Sequence, residues 1–529
     1  MPLSYIETDH ATFRGPNGPV FADCTLAIRP GERWAVLGPN GSGKGLFLAA
    51  LMGKVGIVAG RLRHPFLEGD SRFADSVFGV LPPGTMALAS MKEHRQWLLA
   101  REFHQRRWHG SLSHGTATVS AHLERGQVEQ RNPFAVLDDT GEATFQQARR
   151  REIARFELGP LLDRPVVALS NGELHRFVLA RTLLRQPRLL FLEDPFAGLD
   201  SHSRGRLVEI LDELEGEGIG VVLATDRESD LPDGTTHVIR IEAEQIQQVG
   251  PPGEDPILRR AARPDPVFSV GENHTRRLPS TVPILDMRNV SVRHGGVTLL
   301  DNVSLRVAQG AHWALLGANG SGKSTLLSLV LADNPQVYAN DVRVAGQVLG
   351  PGRGIWDQKA WLGWLSPELD THYPPEARTL DVVLSGFTSS LGIHEGTSAG
   401  QAHAATSWLG LLGLDGQTET AFNALSPVAR RLALLARAVV HGPALLLFDE
   451  PCPGLDAAAR AKLLAAIDAV VASLAAAMIY VTHDPAEIPA SVGNVMELDG
   501  GCVHYQGPRD QWRTTSPSAP PHPLRSALP

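Results

Sequence analysis

The sequence has few cysteines, few aromatic residues and no excess of positive charge. Its three cysteines, Cys24, Cys452 and Cys502, are too few and too scattered among 529 residues for a disulfide framework or a zinc site. This usage predicts a reducing compartment. The net charge of −8 gives no electrostatic reason to expect nucleic acid or an anionic membrane as a partner.

Long apolar runs are also missing. The longest candidate, residues 463–481, is interrupted by Asp468 and is predicted to be a helix that runs into a strand, not a membrane span. No N-terminal signal segment is visible. We therefore expect a cytoplasmic protein without a membrane domain of its own. Any location at the inner face of the cell membrane would then come through a partner.

The chain repeats itself, and its length is too great for a single hydrophobic core. Residues 33–45 (RWAVLGPNGSGKG) return as residues 312–325 (HWALLGANGSGKST). Residues 189–200 (LLFLEDPFAGLD) return as residues 445–456 (LLLFDEPCPGLD). The common order predicts a duplicated domain. Short apolar runs that alternate with helical patterns predict an α/β fold with buried strands.

The composition between the repeats predicts the domain boundaries. We expect a first domain over 1–249 and a second over 284–512. The proline- and arginine-rich stretch 250–283 is predicted to be a linker, and the tail 513–529 to be disordered.

A glycine-rich stretch of the second half follows a predicted strand and precedes a helical pattern. It matches G-x-x-x-x-G-K-S, a loop whose backbone N–H groups surround the phosphates of ATP. Lys323 is expected to reach the β and γ phosphates, and the Ser324 hydroxyl to ligate Mg²⁺. The predicted ATP-binding residues of this half are Gly317, Ala318, Asn319, Gly320, Ser321, Gly322, Lys323, Ser324 and Thr325.

The corresponding loop of the first half keeps the lysine but lacks the hydroxyl, because Gly45 stands at the serine position. A phosphate can still be held there, but the metal has lost a ligand. We expect this loop to bind nucleotide without efficient chemistry. Its predicted ATP-binding residues are Gly38, Pro39, Asn40, Gly41, Ser42, Gly43, Lys44 and Gly45, together with Phe13 upstream.

A second motif points to the family. Residues 169–173 (LSNGE) are similar to the LSGGQ signature of ABC proteins. Ser170 precedes the strand-end carboxylate Glu193 by the same interval that separates Ser426 from Asp449. The chain therefore resembles tandem ABC ATPases over nearly its whole length. The resemblance implies two P-loop domains that hydrolyse ATP with Mg²⁺, each with a RecA-like α/β core, an antiparallel β subdomain and a helical subdomain.

More narrowly, the sequence resembles the ModF-like ATP-binding proteins, which are associated with molybdenum transport. This resemblance is carried by residues 324–340 (STLLSLVLADNPQVYAN), residues 354–359 (GIWDQK) and the segment Glu487-Ile488-Pro489. It implies a membrane permease as the partner.

In ABC proteins two such domains close head to tail, with ATP between the phosphate loop of one and the signature of the other. The loop of the second half, paired in this way, has a complete set of catalytic groups. Asp449 ends an apolar strand and is expected to reach Mg²⁺ through water, and Glu450 to act as the general base. His483 is expected to contact the γ-phosphate. The signature residues supplied from the first half would be Ser170, Asn171, Gly172 and Glu173.

The opposite pairing is degenerate. Besides Gly45, the carboxylate pair is inverted to Glu193-Asp194, and Asp226 replaces the histidine. The facing signature, residues 425–429 (LSPVA), has a proline without an N–H to donate. We therefore predict one hydrolytic site and one degenerate site.

The base-stacking aromatic is predicted from spacing. Phe13 lies upstream of Lys44 at the offset that separates Val292 from Lys323. This predicts an adenine stack in the first half and none in the second, unless His294 covers the base. Phe13 as part of the strand core is the alternative.

Several weaker signals are less specific. The glutamine that ABC proteins carry after a core strand is absent from residues 363–368, where Pro367 takes its place, and from residues 78–83. The stretch 92–131 mixes acidic and basic residues, which favours a solvated helical face over nucleic-acid contact. Trp356, Trp361 and Trp364 fit either a docking patch or the packing of a helical subdomain.

Two functions remain open. The leading hypothesis is a cytoplasmic ATPase subunit that drives a membrane permease, with molybdate as a candidate cargo. The alternative is a soluble ABC ATPase with a regulatory or ribosome-associated role. An ATP sensor without turnover is disfavoured by the presence of Glu450 and His483.

Overall fold

The structure of the chain is a computed structural model. It describes residues 3–16, 18–68, 85–90, 117–129, 141–166, 169, 171–197, 199, 201–251, 278–279, 281–294, 297–349, 354–366, 369–370, 373–374, 376–389 and 397–512. The predicted disordered tail, most of the predicted linker and most of the stretch 92–131 lie outside the described residues.

The chain divides into two compact units. One comprises Met1–Pro264 with Pro453–Ala461, and the other Asp265–Cys452 with Lys462–Pro529. The domain boundaries given above stay predictions.

Unit 1 contains two sheets. A three-stranded antiparallel sheet has the order β2-β1-β4, and a six-stranded sheet has the order β5-β6-β7-β3-β8-β9. The second is parallel except for the antiparallel pair β8-β9. The strands are β1 Ile6–Gly15, β2 Gly18–Ile28, β3 Arg33–Leu37, β4 Ile57–Arg63, β5 Met86–Ser90, β6 Leu189–Glu193, β7 Gly220–Thr225, β8 His237–Glu242 and β9 Gln245–Gly250.

Six α-helices are described in this unit. They are α1 Lys44–Leu51, α2 Val119–His122, α3 Arg125–Val128, α4 Glu142–Arg155, α5 Asn171–Leu183 and α6 Ser201–Gly216. The apolar side chains of α4, α5 and α6 pack in one core with one face of the six-stranded sheet. Helix α1 packs on the other face, together with the antiparallel sheet.

Unit 2 repeats the arrangement. Its antiparallel sheet has the order β11-β10-β13-β14, and its six-stranded sheet has the order β15-β16-β17-β12-β18-β19. The strands are β10 Leu285–His294, β11 Val297–Val307, β12 His312–Leu316, β13 Asp341–Val344, β14 Gln347–Val348, β15 Leu362–Leu365, β16 Leu445–Asp449, β17 Ala477–Val481, β18 Asn494–Asp499 and β19 Cys502–Pro508.

The structure also describes α-helices in unit 2. They are α7 Lys323–Val330, α8 Ile355–Lys359, α9 Thr379–Leu384, α10 Ala399–Leu411, α11 Pro427–Val439 and α12 Ala457–Leu474, the first residues of which belong to the segment Pro453–Ala461 of unit 1. With the two sheets and the helices between β15 and β16, the predicted fold class is confirmed: each unit has an α/β core, an antiparallel β subdomain and helices.

The strand pattern follows from burial. All five residues of β3 and of β17 are buried, and apart from Arg33 at the start of β3 these central strands are apolar or aromatic. The stretch 463–481 is a helix followed by a strand, as predicted, because α12 ends at Leu474 and β17 begins at Ala477. None of the helices in the described part of the chain combines the length and the apolar character of a membrane span.

The three tryptophans of unit 2 do not form one exposed patch. Trp361 and Trp364 pack against the core, and the Arg437 guanidinium lies 5.8 Å from the centroid of the Trp364 ring. Trp356 is 63% exposed, with the Lys359 ammonium 5.7 Å from its ring. Packing therefore accounts for two of the three.

Candidate functional site

The phosphate-binding loops of both units share the conformation of two glycines. Each runs from a buried strand, β3 or β12, to a helix that begins at the lysine, α1 or α7. The φ angles of Gly41 and Gly43 are +82° and +100°, and those of Gly320 and Gly322 are +83° and +103°. Glycine adopts this left-handed region at little cost. The glycines that precede the lysine therefore keep their conformation in the loop that lacks the hydroxyl.

The lysine of each loop is held by the loop itself. Lys323 Nζ donates to the carbonyl oxygens of Gly317 at 2.7 Å and Ala318 at 2.8 Å. Lys44 Nζ donates in the same way to Gly38 at 2.8 Å and Pro39 at 3.3 Å. Both ammonium groups thus lie against their own loop, where the backbone N–H groups and the helix N-terminus favour the binding of a phosphate.

The carboxylates lie at the carboxyl ends of parallel strands. Asp449 is the last residue of β16, and Glu450 follows it with a φ of +42°. Glu193 is the last residue of β6, and Asp194 follows it with a φ of +47°. The left-handed conformation is uncommon outside glycine and costs about 1–3 kcal/mol.

A backbone hydrogen bond to the next strand anchors each of these left-handed residues. The Glu450 N–H donates to Val481 at 3.0 Å, and the Asp194 N–H donates to Ala224 at 2.8 Å. The two units therefore fix the residue after the strand in the same way and differ in the side chain that it carries.

In unit 2 this side chain has an attractive partner. His483 follows β17, and its Nδ1 donates to Glu450 Oε1 at 3.2 Å. Burial lowers the pKa of His483, but the hydrogen bond with Glu450 and the charges of Glu450 and Glu487 outweigh it and raise the pKa above its usual value. Lys323 is close enough to oppose this shift. The three predicted catalytic residues, Lys323, Glu450 and His483, are thus brought together.

In unit 1 the same two positions carry like charges. Burial raises the pKa of Asp194 to about 6, against the opposing charge of Lys44. The negative charges of Asp226, Glu193 and Asp230 add to this shift. Burial also raises the pKa of Asp226. Since Asp194 and Asp226 repel each other, neither is held by the other as Glu450 is held by His483.

The structure corrects the assignment of Phe13 as an adenine-stacking residue. Phe13 is 0% exposed and lies in the core, as does its counterpart Val292 at 1%. A ring buried on all sides cannot offer a face to a base. The strand ends two residues later, at the exposed His294 in unit 2 and at the partly exposed Gly15 in unit 1, where the paired hairpin residues are His294–Val297 and Gly15–Gly18. The ring is therefore available in unit 2.

In unit 1, the strand that precedes the expected glutamine position lies later in the chain than the sequence analysis assumed. Strand β5 takes the edge position beside β6 that β15 takes beside β16, so it is the equivalent strand. It ends at Ser90, whereas residues 78–83 precede this strand in the chain and lie outside the described residues. Ser90 was missed, although the echo of Leu88-Ala89-Ser90 in Trp364-Leu365-Ser366 could have revealed it.

The signature residues are described only in part. Ser170 and the Asn171 side chain lie outside the described residues, and Gly172 and Glu173 lie in the first turn of α5. Glu173 accepts a hydrogen bond of 2.8 Å from Arg164 Nη1.

The altered signature of unit 2 starts a well-capped helix. Ser426 is the N-cap of α11, and its Oγ accepts a hydrogen bond of 3.3 Å from the Ala429 N–H. Pro427 occupies the first helical position, where a missing N–H costs nothing. These residues stabilise the helix start but leave one N–H fewer for a phosphate.

The geometry predicts different consequences for the two equivalent carboxylates. We expect Glu450→Gln to lower the turnover number for ATP at least about a hundredfold, because the base is lost while the loop remains. Asp194→Asn serves as the matched control and should leave turnover close to that of the parent. A steady-state ATPase assay measures both, and equal losses would contradict the asymmetry.

His294 is predicted to stack on adenine. We expect His294→Ala to weaken ATP binding by about 5- to 150-fold, because a base stack is worth about 1–3 kcal/mol. Phe13→Leu, which alters the strand core, is the control for binding. Isothermal titration of the Glu450→Gln variant with ATP gives both values, and a larger loss in Phe13→Leu would refute this placement.

Known proteins share this organisation. The family model described as "ABC transporter" matches residues 21–197 and 300–453, together more than half of the chain. The ABC transporter ATP-binding protein ModF of Escherichia coli is 31% identical over 95% of this chain and 99% of its own length. An uncharacterized ABC transporter ATP-binding protein of Schizosaccharomyces pombe is 27% identical over 94% of this chain and 98% of that protein.

A solved structure shows the same fold over most of the chain. It is the archaeal ribosome recycling factor aABCE1 in complex with the ribosomal stalk protein aP1, with a TM-score of 0.55 and 18% sequence identity. The match covers 94% of this chain and 90% of that one. With two phosphate-binding loops on two such α/β cores, the chain is an ATPase that belongs to the ABC transporter ATP-binding family, as a tandem cassette protein resembling ModF.

Proposed function

We propose that this protein is the ATP-hydrolysing subunit of an ABC transporter, in which the second cassette turns over ATP and the first retains nucleotide without efficient hydrolysis. The movement that accompanies turnover would be transmitted to a membrane permease. The likeness to ModF makes molybdate the first cargo to test.

The hydrogen bond between His483 and Glu450 carries this proposal. It orients a carboxylate beside the loop lysine in unit 2, whereas the corresponding pair in unit 1, Asp226 and Asp194, is repulsive. The interaction is attractive in unit 2 and repulsive in unit 1. This difference supports one hydrolytic cassette, because a general base must be held in position to act.

The reaction needs little covalent chemistry from the protein. Water attacks the γ-phosphorus, the bond to the β-γ bridging oxygen breaks, and the products are ADP and phosphate. Glu450 would orient the water and accept its proton. Lys323 and the N–H of His483 would offset the negative charge on the γ-phosphate oxygens.

The donor set of unit 2 fits Mg²⁺. Ser324 is exposed in the first turn of α7, and Asp449 is half-buried at the end of β16, on the same edge of the sheet. These are hard oxygen donors, and Mg²⁺ is usually held by one or two such groups together with phosphates. When bound, the ion would neutralise phosphate charge.

The second part of the proposal concerns the signatures. Ser170 and Gly172 would complete the ATP site of the second cassette from the first one, as in other ABC proteins. Ser426 is engaged in capping α11, and Pro427 has no N–H. The altered signature is therefore a poor phosphate contact, which supports placing the hydrolytic site at the other pairing.

Two serines at equivalent positions test this pairing. We expect Ser170→Ala to lower ATP turnover by about tenfold or more, because a phosphate contact is lost. Ser426→Ala should cost about 1 kcal/mol of stability through loss of the N-cap and leave turnover unchanged. Thermal unfolding and ATPase assays separate the two effects, and a larger loss of turnover in Ser426→Ala would reverse the proposed pairing.

The transport role is tested by capturing partners. The Glu450→Gln variant, saturated with ATP, is expected to retain a membrane permease during affinity purification from detergent-solubilised membranes. The same variant combined with Lys323→Ala, which weakens ATP binding, is the control and should retain less. Repeated recovery of ribosomal proteins without a permease would contradict the transport role and favour the soluble alternative.

A further inference from the structure

The first cassette has no side chain at position 45, and another residue fills the space. A β-carbon built on Gly45 would lie less than 3.0 Å from Glu193 Oε1 and 3.2 Å from the Glu193 carboxyl carbon. Real β-carbons essentially never approach another atom so closely. The Glu193 carboxylate thus stands where a serine side chain would begin.

The backbone does not require this glycine. Gly45 lies in the first turn of α1 and is not among the residues with positive φ. A glycine within a helix is less favourable than alanine by roughly 0.5–1 kcal/mol. The reason for Gly45 is therefore the carboxylate beside it and not the conformation of the loop.

The two cassettes differ in opposite directions at two neighbouring positions: where one side chain is shorter, the other is longer. Unit 2 has Ser324 and the shorter Asp449, whereas unit 1 has Gly45 and the longer Glu193. One side chain has lost its hydroxymethyl group, and the other has gained a methylene. The exchange leaves an oxygen atom close to the place of the missing hydroxyl.

The orientation of Glu193 is fixed from the adjacent strand. Ser90 is the cross-strand neighbour of Glu193 in the β5-β6 pair. Its Oγ donates to Glu193 Oε2 at 2.6 Å. This bond holds one carboxylate oxygen and leaves Oε1 directed at Gly45, where no described residue donates a hydrogen bond to it.

The charges around the first loop favour a cation. Asp194 Oδ1 is buried and has no hydrogen-bond partner among the described residues. Asp194 interacts with the positive charge of Lys44 and with the negative charges of Asp226 and Glu193, to which ATP would add its own. No group of three or more metal-ligating side chains occurs in the described part of the chain. A cation here would consequently be shared with the phosphates, as Mg²⁺ commonly is.

We infer that Glu193 replaces the missing hydroxyl as a direct cation ligand, so that the first cassette binds ATP together with a divalent cation held between this carboxylate and the phosphates. Ser90 is the positioning residue. The inference rests on the proposed retention of nucleotide by the first cassette.

The test uses the full chain with Lys323→Ala, which disables the loop of the second cassette. Binding of a non-hydrolysable ATP analogue is measured by titration calorimetry with Mn²⁺ and with EDTA, and Mn²⁺ affinity by electron paramagnetic resonance. We expect Glu193→Gln to weaken Mn²⁺ binding at least about tenfold. Its affinity for the analogue in EDTA should not fall.

A double variant provides the matched control. Gly45→Ser alone should weaken binding of both Mn²⁺ and the analogue, because its β-carbon meets Glu193. Gly45→Ser combined with Glu193→Asp recreates the arrangement of unit 2 and should recover most of the Mn²⁺ affinity. Glu193→Asp alone should not bind Mn²⁺ with this affinity, because its carboxylate is shorter than that of glutamate and position 45 still lacks a hydroxyl. Ser90→Ala should give an intermediate loss that Ser90→Thr reverses.

Three results would overturn the inference. Unchanged Mn²⁺ affinity in Glu193→Gln would show that the carboxylate only fills space. A double variant no better than Gly45→Ser would show that the two positions are not coupled. Absence of analogue binding both with Mn²⁺ and with EDTA would show that the first cassette does not retain nucleotide. Failure of the proposed transport role would instead appear in the permease capture and would leave these titrations unaffected.

Discussion

The edge formed by the carboxyl ends of the parallel strands is the constraint on which both cassettes depend. At this edge the phosphate loop, the strand-end carboxylates and the residue after the neighbouring strand come within interacting distance. Backbone hydrogen bonds hold Glu450 and Asp194 in the same left-handed conformation. Since these anchored positions match in the two units, the units differ there in the charge and size of the side chains.

That charge gives the two cassettes opposite electrostatics. A histidine donor holds the Glu450 carboxylate in unit 2, whereas an aspartate beside Asp194 gives unit 1 two carboxylates that repel each other. Independent decay of unit 1 would not be expected to preserve the glycine conformations of its loop. The paired change at Gly45 and Glu193 also keeps an oxygen near the phosphate loop. Both observations fit a site that still binds nucleotide but has lost the residues expected for hydrolysis.

Much of the fold was predictable because its signals are local. Apolar runs bounded by glycine and charged residues gave β3 and β16, and the helix-to-strand change within 463–481 was read correctly. The error at Phe13 has a physical cause. Counting back from the lysine finds the strand but not which of its alternating residues faces the core, and the ring at position 13 faces inward. The strand ending at Ser90 was missed because it is short and follows a stretch without clear periodicity.

The sequence by itself determined the duplication, the two phosphate loops and the different residues that the two halves carry at corresponding positions, since these depend on residue type and spacing along the chain. Only the tertiary structure decided that His483 bonds to Glu450, that Glu193 fills the space beside Gly45, and that His294 and not Phe13 is exposed. These are contacts between residues far apart in the chain, or directions of side chains within a strand. Both are set by how the strands pair and pack, which spacing alone does not specify.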